Sequence, residues 1–99
     1  MMKTSKDRES AVERYLVQEV ERRGGKVIKL VTRAGIPDRQ ILWPGGKALF
    51  VELKKPSGGV VSARQVSELN TLVALGFTAL FATNKQEINE LIQQLEEQP

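Results

Sequence analysis

Apolar residues recur along this chain at two spacings, and the alternation between the two divides it into seven elements. Ala11, Val12, Tyr15, Leu16, Val17 and Val20 fall three or four positions apart, the stripe of a helix with one buried face. Thr4 or Ser5 can cap that helix, Asp7 completes a capping box from Thr4, and Gly24-Gly25 ends it after about Arg23. Residues 26–31 (KVIKLV) are rich in β-branched side chains and predict a first strand, followed by the turn-forming loop TRAGIP. Residues 39–43 and 48–54 predict two more strands, joined as an antiparallel hairpin by Pro44-Gly45-Gly46. A second helix opens at Ser62, where Ser-Ala-Arg-Gln forms a capping box closed by Gln65, and stops before Gly76. Its apolar positions are Val66, Leu69, Leu72, Val73 and Leu75. Residues 77–82 (FTALFA) predict a fourth strand, and a last helix follows Thr83-Asn84 to about Glu96, turning Ile88, Leu91, Ile92 and Leu95 inward.

The order is αβββαβα. A helix between the third and fourth strands makes a parallel crossover, so the expected fold is α/β, a mixed four-stranded sheet flanked by helices on both faces. Ninety-nine residues suit a single domain spanning 1–99.

Composition narrows the chemistry. The chain has no cysteine and no histidine, which excludes thiol nucleophiles, disulfides, serine–histidine triads and zinc–histidine sites. Any catalysis must therefore run on carboxylates, lysines, hydroxyls and a metal that prefers oxygen. The start, MMKTSKDRES, is polar, and no apolar run approaches the roughly 18 residues that span a bilayer, so the expectation is a cytoplasmic protein with no membrane partner. Charge is unevenly spread: residues 1–65 carry fourteen Lys/Arg against seven Asp/Glu, and residues 66–99 carry one against five. A positive surface around an acidic pocket suits a polyanionic substrate with a cation at the reacting point. A solvated charged face explains the charge equally well on its own.

That basic part contains the stretch on which the chain turns, residues 35–55, GIPDRQILWPGGKALFVELKK. In a strand, Phe50, Glu52 and Lys54 share one face while Leu49, Val51 and Leu53 share the other. The hairpin brings Asp38 back beside Glu52, so two carboxylates and an ammonium converge at one end of the sheet. Mg²⁺ takes one or two carboxylates plus waters and substrate phosphate, so Asp38 and Glu52 are candidate ligands of Mg²⁺ or Mn²⁺. Lys54 is placed to orient a water or neutralise charge on phosphorus. Each has an ordinary explanation: Asp38 as a turn residue, Glu52 and Lys54 as a strand pair on a polar face. Their conjunction on a sheet with both faces covered favours the chemical reading.

Asp38 followed by Glu52-Leu53-Lys54, with a glutamate on a preceding helix, resembles the PD-(D/E)XK nuclease superfamily. The longer wording, RES-AVERYL, GG-KVIKL, GIPDRQILWPGG, FVELKKPSG, S-ARQ and LGF in this order, resembles its VRR-NUC family over almost the whole chain. The resemblance implies a restriction-endonuclease-like core and a structure-selective DNA endonuclease, Holliday-junction resolvase-like, dependent on Mg²⁺ or Mn²⁺ and acting as a homodimer. It also implies a bacterial or phage-infected host. By residue, it makes Asp38 and Glu52 metal ligands and Lys54 the catalytic lysine. It adds a first-helix glutamate, Glu13, at the metal or its water, and Gln65 at the site from the second helix. The alternatives are a flap or nonspecific DNA nuclease, or a noncatalytic nucleic-acid-binding module.

Glu13 is taken over Glu9 because it borders the buried stripe of its helix. Arg33, Arg39, Lys55 and Arg64 flank the cluster as candidate phosphate contacts. Trp43 either caps the core or is an exposed contact. Val60-Val61 make the loop after PSGG more apolar than the lysine-rich form the resemblance implies, which argues against a phosphate-contacting role for it.

Overall fold

The computed structural model describes residues 9–31, 35–55 and 60–98. The elements are α1 (Glu9–Arg22), β1 (Lys26–Lys29), β2 (Arg39–Trp43), β3 (Lys47–Leu53), α2 (Ala63–Ala74), β4 (Thr78–Ala82) and α3 (Lys85–Glu97), the predicted αβββαβα order. The expected capping by Thr4, Ser5 and Asp7, Arg33 and the PSGG segment lie outside the described residues.

One sheet runs β1-β2-β3-β4, with β1/β2 and β2/β3 antiparallel and β3/β4 parallel across the α2 crossover. The hairpin turns on Gly45 and Gly46, whose φ values of 93° and 80° lie where a side chain is strained, so the double glycine is what lets β2 meet β3. Pairing begins at Trp43↔Lys47 and reaches Arg39↔Val51, which sets Asp38 and Glu52 next to each other just beyond. β4 starts one residue later than expected because the Phe77 amide bonds to Leu72 O and closes the end of α2 instead of entering the ladder.

Strand alternation puts Leu49, Val51 and Leu53 of β3 and Ile41 and Trp43 of β2 on one face. They form a continuous core with Val12, Leu16 and Val20 of α1 and Ile88, Leu91, Ile92 and Leu95 of α3. Trp43 is therefore a core residue. α1 and α3, two of the three helices whose apolar stripes were read from the sequence, close this face.

The opposite face carries Phe50 and Glu52 and is covered by α2, with Phe50 and Phe77 packed edge to face at 5.6 Å. Coverage of this face is partial. None of the α2 residues is buried: Val66 and Val73 are exposed despite their helical spacing, as are Leu75 at the C-cap and Phe77 beyond it. The reason is geometric: α2 lies along β4 at one side of the sheet, while α1 and α3 both take the other face. Leu42, on the β2 part of the half-covered face, is exposed as well.

Candidate active site

Asp38 and Glu52 are brought together by the hairpin register and locked by two crossed hydrogen bonds. The Asp38 amide donates to Glu52 Oε1 at 3.0 Å, and the Leu53 amide donates to Asp38 Oδ1 at 3.3 Å. Each carboxylate is thus held by the other strand's backbone, which leaves little rotational freedom to either. Glu52 is only 8% exposed. Its carboxyl is held above the usual carboxylate range, first by burial and then by the Asp38 charge, with Lys54 acting in the opposite sense.

Lys54 follows Glu52 by two residues, and its Nζ stands 3.8 Å from Glu52 Oε2. The ammonium donates to Gln65 Oε1 and to the carbonyl of Val60, each at 2.9 Å. Two of its three hydrogens are thereby used, and the third remains for a water or a phosphate oxygen.

Gln65 joins the centre to the start of α2. Its Oε1 also accepts from the amide of Ser62 at 3.0 Å, its own amide donates to Ser62 Oγ at 3.1 Å, and its Nε2 donates to Glu52 Oε2 at 3.2 Å. The capping box read from the sequence is present, and the same glutamine side chain that completes it bridges Lys54 and Glu52. The helix cap and the charged pair are one hydrogen-bonded unit.

Two expected residues make contacts other than those expected. Arg39 was expected to contact phosphate, but it is buried: Nη2 meets Glu13 Oε2 at 2.6 Å, and Nη1 meets Asp38 Oδ2 at 3.1 Å. Alternation along β2 explains this, because Arg39 shares the core face with Ile41 and Trp43 and so points toward α1. That pattern was available in the sequence. Glu13 is correspondingly engaged by Arg39 and, among the described residues, joins no cluster of three potential metal-binding side chains with Asp38 and Glu52. Glu9, one turn earlier, is the α1 carboxylate whose charge adds to the upward push on Glu52. Arg39 is the site residue whose role the sequence reading missed: a buried cation tying α1 to the back of Asp38.

Lys55 and Arg64 are exposed. Arg64 runs across the loop before Asp38, so closely that a Cβ on Gly35 would lie 2.4 Å from Arg64 Cγ. Gly35 also has φ 92°, so its glycine is required twice over.

The donor set is two oxygen-bearing side chains converging under like-charge strain, with no nitrogen or sulfur ligand. It fits a hard cation that takes one or two carboxylates and completes its shell with water and phosphate.

No family model matches the chain. A curated relative, "Putative nuclease p44" of Acyrthosiphon pisum secondary endosymbiont phage 1, is 37% identical over 87 residues, covering 86% of this chain and 91% of the relative. A solved structure described as a VRR_NUC domain superposes with TM-score 0.80 at 29% identity, covering 86% of this chain and 94% of its own. A second, described as a VRR_NUC domain protein, shares the fold with TM-score 0.71 at 21% identity, covering 94% of this chain and 89% of its own. Sequence likeness along nearly the full length of a phage nuclease and the shared αβββαβα core agree with the hairpin-borne carboxylate pair, and the chain belongs to the VRR-NUC family of nucleases.

Proposed function

We propose that this chain is a divalent-cation-dependent endonuclease that hydrolyses DNA phosphodiesters and prefers branched DNA, four-way junctions above all, working as a homodimer. The observation that carries the reading is the convergence of Asp38, Glu52 and Lys54 at one end of the sheet, with Gln65 bridging the last two. When Mg²⁺ or Mn²⁺ is bound by Asp38 and Glu52, it supplies polarisation of the scissile phosphate and acidifies a water. Lys54, held by Gln65 and the Val60 carbonyl, directs its remaining N–H at the attacking water or at the charge growing on phosphorus. Gln65 keeps that ammonium from collapsing onto Glu52. Arg39 fixes Asp38 from behind, so the carboxylate pair needs no reorganisation as substrate arrives.

Homodimerisation is supported by the half-covered sheet face. Val66, Val73, Leu75, Phe77 and Leu42 are exposed there, and residues 69–84 contain no charged side chain, which suits an apolar contact with a second copy better than a contact with DNA. A two-fold dimer of a small domain would present two centres to the two symmetric strands of a junction.

The test is cleavage of labelled four-way junction, flap and linear duplex by the purified protein, with and without Mg²⁺ or Mn²⁺. Cation-dependent cutting led by the junction is expected, with Asp38→Ala, Glu52→Ala and Lys54→Ala inactive. Equal cutting by any of these variants removes the assignment. Cation-independent binding with no cutting makes the chain a binding module instead.

A further inference from the structure

The centre is edged by apolar side chains that neither the metal chemistry nor the core uses. Val60 is 76% and Val61 41% exposed, and Val31, beyond the end of β1, is 91% exposed. Their positions are anchored. The carbonyl of Val60 is the one that holds Lys54, and Val61 immediately precedes Ser62, whose cap includes Gln65. Val31 follows Leu30, whose amide donates to the Asp38 carbonyl at 2.9 Å. All three valines therefore stand at the end of the sheet that carries the carboxylates.

The surroundings identify what such an edge meets. Lys29, Lys55 and Arg64 are exposed at the same end, so the partner is a polyanion. Valine side chains have nothing to offer phosphate, since they neither donate nor accept hydrogen bonds. They suit base and deoxyribose faces. In a continuous duplex those base faces are stacked away, whereas a branch point or an unpaired end uncovers them, and apolar side chains are known to occupy such opened base steps.

We propose that Val60 and Val61, with Val31 at the same end of the sheet, form an apolar contact for the base faces uncovered at a DNA branch, and that this contact sets the preference for branched over continuous duplex. The inference rests on the nuclease reading and gives it a specificity element distinct from the carboxylates and lysine. Cutting comes from Asp38, Glu52 and Lys54; discrimination comes from the valines beside them.

The experiment compares wild type with Val60→Thr/Val61→Thr, which keeps side-chain shape and removes apolarity, and with Val60→Ile/Val61→Ile, which keeps apolarity. The readout is the ratio of kcat/KM for a four-way junction to that for a linear duplex of matching sequence. Ca²⁺-supported binding of the same two DNAs gives the ratio again without cleavage. The threonine pair is expected to lower both ratios about fivefold, the scale of burying one methyl-sized apolar group, and the isoleucine pair to preserve them. Unchanged ratios in the threonine pair overturn the proposal, as does a parallel loss on both substrates, which would mean that the loop only holds Lys54. A change in sedimentation from dimer to monomer also overturns it, since the valines would then face a second copy. If wild type cuts neither DNA yet the binding ratio falls in the threonine pair, the nuclease reading fails and the valine contact stands.

Discussion

Asp38 and Glu52 place two negative charges together in a partly enclosed site, so a divalent cation should stabilise the fold as well as serve the chemistry. Burial and the Asp38 charge raise the pKa of Glu52 above its ordinary 4.5. The sign follows from linkage. A carboxyl whose folded pKa is raised takes up a proton on folding, so it costs stability at neutral pH, and that cost fades as pH falls through the folded pKa toward 4.5. Each unit of elevation corresponds to about 1.4 kcal/mol. A bound cation replaces the proton. At a free concentration about ten times its Kd, it adds about 1.4 kcal/mol, and for a chain of this size each kcal/mol moves Tm by about 4–8 °C. A thermal melt at pH about 7.5 should therefore rise by about 6–11 °C on adding Mn²⁺. The increment should shrink near pH 5, where protons compete for Glu52, and vanish in Glu52→Gln. In that variant one acceptor is lost, facing either the Asp38 amide or Gln65 Nε2, at about 1 kcal/mol. Relief of the charge offsets it, so its metal-free Tm should lie within a few degrees of wild type. A wild-type melt indifferent to Mn²⁺, or an equal rise in Glu52→Gln, refutes the assignment of these carboxylates as the cation site.

Other consequences follow from the same contacts. Arg39→Met leaves the Glu13 and Asp38 carboxylates without their cation and should lower stability by about 2–3 kcal/mol in urea unfolding; Glu13→Gln in the same chain should restore part of it, and full stability in the single variant would show the ion pair to be idle. Ser62→Ala removes the side-chain half of the α2 cap and should cost about 1 kcal/mol. Because Gln65 belongs to both units, its cleavage rate should fall as well, whereas an unaltered rate would separate the cap from the centre. Gly35→Ala should cost about 1–3 kcal/mol and reduce activity, since the positive φ and the contact with Arg64 are both violated; chemical denaturation alongside a cleavage assay checks this. Val73→Asp on the exposed face of α2 should shift sedimentation toward monomer with no loss of secondary structure by circular dichroism.

Much of this protein is local in origin. Helical spacing in Val12-Leu16-Val20 and in Ile88-Leu91-Ile92-Leu95, period two in 49–54, a double-glycine turn and two side-chain caps each reflect backbone preferences that act over a few residues, so element order and the Asp38–Glu52–Lys54 cluster are legible in the sequence. Gln65 was legible as the closing residue of the capping box, while its place at the centre was expected only from the family resemblance. The fate of the charged residues was less legible. Arg39 and Glu13 sit 26 positions apart, and only the docking of α1 onto the sheet makes them partners. Alternation points Arg39 inward, yet it does not say which acid will receive it. Likewise the stripe on α2 has the spacing of a buried face, but whether a face is covered depends on how many helices share that side of the sheet. Two helices took the other side, and the apolar surface left on this one is a property of the packing, which no single stretch of sequence encodes.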